Sequence, residues 1–187
     1  IGGGFGITYV EGDESIEIAT LLSQINQVVI ENCKLSGLSI PKVSIEPGRA
    51  IVGPAMVTLY TVGTTKEVAL ETGMKRLYVS VDGGMSDNIR TSLYGAEYTV
   101  RLANRNSVAT ERECRIVGKH CESGDVIIQS AMLPSDIKPG DLLMVAATGA
   151  YGRSMASNYN HVPRPGVIAV HSGKARTIIR SETTADL

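Results

Sequence analysis

The sequence predicts an α/β barrel remnant followed by an all-β domain, with the architecture changing near residue 54. Three observations carry that expectation. An amphipathic helical stretch lies between two glycine-bearing turns within residues 1–54. Beyond Pro54 the chain becomes a series of β-branched runs separated by Gly, Pro, Asn and Asp. The two turns, finally, have the chemistry that closes consecutive βα units of a (β/α)8 barrel around an anion.

Between Ser15 and Ser36 the apolar residues Ile18, Leu21, Leu22, Ile25, Val28 and Val29 recur at helical spacing. Gly37 follows as the expected C-cap. The stretch "PKVSIEPGR" reads as a short strand ending in a turn, so residues 1–54 form the last βα units of a barrel. Residues 55–187 then supply "MVTLYTVGTTKEVAL", "KRLYVSVDGG", "AEYTVRLAN", "RECRIVGKH", "DVIIQSAML", "DLLMVAATG" and "GVIAVHSGKARTIIRSE". Several of these alternate apolar and polar residues, as half-buried antiparallel strands do. They predict a C-terminal antiparallel β-sandwich or barrel domain. There is no internal repeat and no low-complexity linker.

Composition excludes several function classes. With 43% hydrophobic and 20% charged residues, the 187-residue chain falls in the globular range. Its net charge of −1, with Lys and Arg scattered, offers no basic stripe for nucleic acid. No apolar run approaches the ~18 residues a membrane span needs. Cys33, Cys114 and Cys121 are irregularly spaced and odd in number, which suits neither a disulfide framework nor a zinc site. That usage fits a reducing cytoplasm.

The chemistry concentrates in the turns. Gly2, Gly3, Gly4 and Gly6 let backbone N–H groups converge on an anion, although the same cluster also suits an ordinary tight turn. In "EPGRAIVG", Pro47 fixes the turn, Gly48 permits close approach and Arg49 can clamp a phosphate or carboxylate. Glu46 is a buried-carboxylate candidate, able to face a ring nitrogen or pair with Arg49. A plain ion pair is the competing reading of that turn.

Taken together, "GGGFGITY", "EPGRAIVG", "VDGGMSDNIRTSLYGAEY", "VGKHCESGDVI" and "ATGAYGRSMASNYN" resemble the diaminopimelate decarboxylase family, in that family's order and across nearly the whole chain. The resemblance implies a pyridoxal 5'-phosphate enzyme that makes lysine, in a form that looks bacterial. It also implies that the first barrel strands lie upstream of Ile1, so the glycine run would close a strand rather than open a protein. Gly4, Glu46, Pro47, Gly48 and Arg49 would hold the cofactor phosphate and ring. Arg49, Arg90 and Tyr94 would bind substrate carboxylates, and Glu122 the substrate's distant amino group. Cys121 would return a proton to the substrate carbon after CO₂ leaves, and Tyr151 would touch cofactor and substrate. The implied assembly is a homodimer with shared sites, the Cys121–Glu122 pair entering the neighbouring subunit's site. The lysine that anchors the cofactor would lie upstream, with the N-terminal remainder of the barrel, because Lys42, Lys66, Lys75, Lys119, Lys138 and Lys174 do not sit in its motif. The chain alone is therefore expected to be inactive.

Elementary chemistry agrees with these roles. A pyridine ring is the better electron sink when protonated, which a facing carboxylate favours. A thiol beside a carboxylate can deliver a proton. A substrate with an amino-acid group at its far end presents a carboxylate and an ammonium, which call for an arginine and an acid. Ornithine- or arginine-type decarboxylases of the same fold are the alternative, yet their substrates carry no far carboxylate for Arg90. A catalytically dead dimer partner and a β-sandwich interaction module complete the alternatives. Taken alone, Cys121 could be a small buried hydrophobe, Tyr94 a core aromatic and His120 a structural histidine. Cys33 and Cys114 read as packing residues, and His161 and His171 are left unassigned.

Overall fold

A computed structural model describes all 187 residues. Helix α1 (Ile18–Leu35) and the short α2 (Gly48–Val52) precede the strands. The remaining elements are β1 (Thr58–Ala69), β2 (Lys75–Val81), α3 (Arg90–Tyr94), β3 (Val100–Leu102), β4 (Glu111–Val117), β5 (Val126–Pro134), β6 (Leu142–Val145), α4 (Gly152–Met155), β7 (Val167–His171) and β8 (Lys174–Ile179).

Six strands form one sheet in the order β3-β6-β1-β2-β4-β5, and β3 lies back against β5, so the sheet curls into a nearly closed barrel. Its interior is set by period-2 alternation: β2 turns Leu77, Val79 and Val81 inward, and β4 turns Cys114 and Ile116. Fully buried residues such as Ile116, Ile127 and Leu143 each contribute about 2–3 kcal/mol of hydrophobic stabilisation. Cys114 is thus a packing residue, as its strand position predicts.

Two features depart from a single antiparallel sheet. β7 and β8 pair only with each other, as a separate two-stranded hairpin. More consequentially, β2 and β4 are parallel, with Leu77 opposite Cys114 and Ser80 opposite Val117. The intervening chain crosses to the far edge, forms α3 and β3, and returns, which is the long connection a parallel pair requires. β6 is antiparallel to β1, and β1 is antiparallel to β2, so β2, β4 and β6 all point the same way. Their C-terminal ends therefore open on one rim.

Residues 1–54 differ more from expectation. The helix forms and ends as predicted: Leu38 N–H donates to Cys33 O at 2.9 Å and Gly37 N–H to Lys34 O at 3.3 Å, with Gly37 at φ 64°. Yet none of its residues is buried, and Val28 is 58% exposed, because the helix packs against no sheet. The expected strand in "PKVSIEPGR" is extended chain without a ladder. The Ile1 nitrogen donates to Ser44 O at 2.9 Å, and a Cβ on Gly3 would stand 2.6 Å from Glu46 O, so residues 1–3 run beside 44–46. A strand exists only through its ladder, and one such bond does not make one.

The segment is nonetheless fastened to the sheet. Thr99 donates to Tyr9 O from both its N–H (2.9 Å) and its hydroxyl (2.8 Å). Gly149 N–H donates to Gly53 O at 3.1 Å, and a Cβ on Gly149 would fall 1.7 Å from Val52 O. Only glycine lets the β6 loop approach α2 this closely.

Two buried carboxylates fix the loops. Asp125, 3% exposed, accepts from Met85 N–H at 2.6 Å and His120 N–H at 2.7 Å, joining the loops after β2 and β4. Asp141, 2% exposed, accepts from Arg105 Nε and Nη2, both at 2.8 Å, and from Lys138 N–H at 3.0 Å. The Arg105 guanidinium holds the Asp141 carboxyl down at about 2, against an ordinary value of 3.8. A depressed folded value means that the interaction stabilises the fold fully above the unfolded value and is lost as pH falls from about 4 through about 2. Asp141→Asn should cost about 2 kcal/mol at neutral pH. Denaturant midpoints should show that difference shrinking between pH 4 and pH 2; a constant gap would contradict the ion pair. Asp125→Ala strands two buried N–H groups and should cost about 2–3 kcal/mol. Amide hydrogen exchange should accelerate at Met85 and His120 before the core of β2, and unchanged exchange at those two amides would refute the tether.

Candidate functional site

The rim formed by the ends of β2, β4 and β6 carries half of the residues singled out in the sequence. The β2 loop leads into α3, which bears Arg90 at its first position and Tyr94 at its last. The β4 loop carries Cys121 and Glu122, and the β6 loop carries Tyr151.

Arg90 is the most constrained of them. It is 8% exposed, and no carboxylate pairs with it. Its Nη1 donates to Tyr98 Oη at 2.7 Å and Tyr9 Oη at 3.2 Å, while Nε and Nη2 have no protein partner. The guanidinium carbon also stands over three aromatic faces, 5.3 Å from the centroid of Tyr9, 5.8 Å from Tyr98 and 5.6 Å from Tyr151. Burial pushes the Tyr98 hydroxyl above its ordinary value although Arg90 pulls it down, so the phenol stays neutral and leaves the cation uncompensated. Tyr94 is 65% exposed, not a core aromatic, and lines an open hollow together with Arg90 and Tyr9.

Tyr151 links this group to the first turn region. It holds a left-handed backbone at φ 68°, rare for a bulky residue, and its ring also lies 5.8 Å from the Arg49 guanidinium. Arg49 has no acidic partner either, so the ion-pair reading of "EPGR" fails. Glu46 is exposed, which corrects the expectation of a buried carboxylate: no layer of chain covers residues 41–46. Pro47 and Gly48 bring Arg49 into the turn beside the glycine run. Gly4, at φ 90°, and Gly48 both border open space. An open glycine backbone beside an arginine without a carboxylate partner suits a phosphate.

A second group sits at the β4 loop. Cys121 is a free, exposed thiol, so it is not a buried packing residue. Glu122 accepts the hydroxyl of Tyr159, and that carboxylate pushes the Tyr159 hydroxyl up. His120 is buried, its ring edge-on to Tyr159 at 5.4 Å and its Nε2 2.8 Å from Ser86 Oγ. No hydrogen bond, ion pair or ring contact joins this group to Arg49, Arg90 and Tyr151. No cluster of His, Cys, Asp and Glu is arranged to hold a metal ion.

Sequence reasoning missed Tyr9, Tyr98 and Tyr159. One signal was available: the chain has 7 Tyr against 1 Phe and no Trp. An aromatic set so biased toward hydroxyls points to polar work rather than packing alone.

Comparison with known proteins gives the same direction. Residues 18–149 match the family described as "Pyridoxal-dependent decarboxylase, C-terminal sheet domain". Diaminopimelate decarboxylase of Mycobacterium tuberculosis is 54% identical over all of this chain, which covers 42% of that protein. The Bacillus subtilis diaminopimelate decarboxylase is 49% identical, again over all of this chain and 42% of the relative. Among solved structures, diaminopimelate decarboxylase from Helicobacter pylori complexed with L-lysine superposes with a TM-score of 0.82 at 34% identity, covering 99% of this chain and 42% of that one. The chain thus spans about two fifths of the length of the relatives it matches. On its sheet topology and these matches, the chain belongs to the pyridoxal-dependent decarboxylases, through their C-terminal sheet domain.

Proposed function

We propose that this chain supplies the C-terminal part of the active site of an enzyme that decarboxylates meso-diaminopimelate to L-lysine and CO₂. One observation carries the reading: Arg90 is buried, cationic and without an acid, and across the Tyr151 ring stands the half-buried Arg49, likewise without an acid. Leaving a buried charge unpaired costs several kcal/mol, which a bound anion offsets.

In this reading residues 1–54 are the closing βα units of a (β/α)8 barrel, consistent with residues 1–3 running parallel to 44–46. Gly4, Glu46, Pro47, Gly48 and Arg49 hold the phosphate and ring of pyridoxal phosphate. When bound, that cofactor supplies a conjugated ring that withdraws electrons from the substrate carbon losing CO₂. Tyr151 faces cofactor and substrate together. Arg90, with Tyr94, takes the far carboxylate. Glu122, held by Tyr159, takes the far ammonium. The exposed Cys121 thiol returns the proton to the substrate carbon. Because Cys121 and Glu122 touch none of the arginine group, we propose that they serve the site of a second subunit in a homodimer. The anchoring lysine comes from the portion of the barrel outside these residues, and the three free cysteines suit a cytoplasmic enzyme.

Ornithine- or arginine-type substrates would leave Arg90 unpaired, so competition separates the readings. CO₂ release by the holoenzyme should favour diaminopimelate over ornithine and arginine by at least about a hundredfold, as a stranded buried partner requires; equal turnover would reject the assignment. Mixing Cys121→Ala subunits with Arg49→Ala subunits should restore up to about a quarter of wild-type activity, the statistical share of intact sites in randomly paired dimers. No recovery over either parent would place the thiol in its own chain's site.

A further inference from the structure

Arg90 raises a question that its proposed partner does not answer. A guanidinium on a five-residue helix has four side-chain torsions and can turn its donors many ways. Here both Nη1 protons are taken, one by Tyr98 Oη at 2.7 Å and one by Tyr9 Oη at 3.2 Å. What remains is the edge formed by Nε and Nη2, whose two N–H bonds run parallel and match the two oxygens of one carboxylate. Tyr9 and Tyr98 hold each other as well, edge to face with centroids 5.4 Å apart and planes at 89°. Neither is loosely placed: Tyr98 is 4% exposed, and the Tyr9 carbonyl is fastened twice to Thr99.

The partners are also chemically particular. A carboxylate in either position would neutralise Arg90 and compete with an incoming anion. Neutral phenols occupy two protons without cancelling the charge. Tyr9, moreover, lies on the segment that carries Gly4, so one short stretch of backbone reaches both the glycine run and Arg90.

We infer that Tyr9 and Tyr98 are positioning residues, which fix Arg90 so that its Nε–Nη2 edge receives the far carboxylate of the substrate. The inference rests on the proposed role of Arg90 and goes beyond it, because it concerns how the arginine is aimed.

Two ligands isolate the effect. L-Lysine keeps the far carboxylate of diaminopimelate, whereas cadaverine has the same carbon chain and no carboxylate. Calorimetric binding to the pyridoxal phosphate-loaded enzyme should show Tyr98→Phe weakening L-lysine about tenfold and Tyr9→Phe severalfold. Cadaverine affinity should stay within about twofold, since the diamine makes no bidentate pair to lose. The KM for diaminopimelate should rise in step with the lysine constant. A merely structural role would weaken both ligands together, and that result overturns the inference, as does unchanged lysine binding in both variants. Arg90→Gln separates the two levels. If it abolishes the preference for lysine over cadaverine while the tyrosine variants do not, only the positioning role fails; if Arg90→Gln leaves the preference intact, the reading of Arg90 itself fails. Tyr9→Phe removes one oxygen from a partly open position and decides the matter alone should Tyr98→Phe not fold.

Discussion

A cation enclosed by three tyrosine rings, with no acid beside it, organises this molecule. Burying Arg90 is unfavourable unless something negative arrives, and the surrounding architecture is arranged to keep it buried and aimed rather than to neutralise it. Tyr98 comes from the start of the β3 region, Tyr9 from the glycine segment and Tyr151 from the β6 loop. Three separate stretches of chain converge on one side chain. Arg49 meets the same Tyr151 ring from the opposite group, so two arginines without carboxylate partners share one aromatic neighbour.

The sheet makes that convergence possible. Because β2, β4 and β6 run in one direction, the loops that follow them emerge together. Asp125 then bridges the β2 and β4 loops, and the glycine contact at Gly149 presses the β6 loop on α2. The Cys121 loop is stiffened by the same device, through His120 and Ser86, yet its thiol and Glu122 remain on the surface. A rigid frame thus presents the Cys121 thiol and the Glu122 carboxylate away from the arginines of the same chain, which is the observation behind the proposed two-subunit site.

Much of this was legible from the residues. β-Branched runs bounded by turn residues located the strands of the sheet, and several of them also alternate; Leu77, Val79 and Val81 are the plain case. The α1 helix and its Gly37 cap followed from spacing and turn chemistry. The parallel pairing of β2 with β4 was not readable, because alternation fixes which residues face inward but not which strand lies alongside. That unread feature is what brings Cys121 to the rim of Arg90. The strand at 41–46 failed for a related reason: its apolar residues Val43 and Ile45 suit a ladder that only one hydrogen bond represents here. Glu46 looked buried on the same assumption. Of the site, Arg49 stood out by its type and turn, whereas Arg90, Cys121 and Glu122 were picked out by the family resemblance. Tyr9 and Tyr98 did not, because an aromatic beside β-branched residues reads as core until its hydroxyl partner is known, and Tyr159 sits in the turn-like "ASNYNH", where nothing marks its partner Glu122.

The most direct test is a crystal structure of the full-length holoenzyme with L-lysine bound. The lysine carboxylate should lie within about 3 Å of both Nε and Nη2 of Arg90, with Nη1 still on Tyr9 and Tyr98. A carboxylate bound elsewhere, with Arg90 turned onto an acidic side chain of the protein, would contradict it.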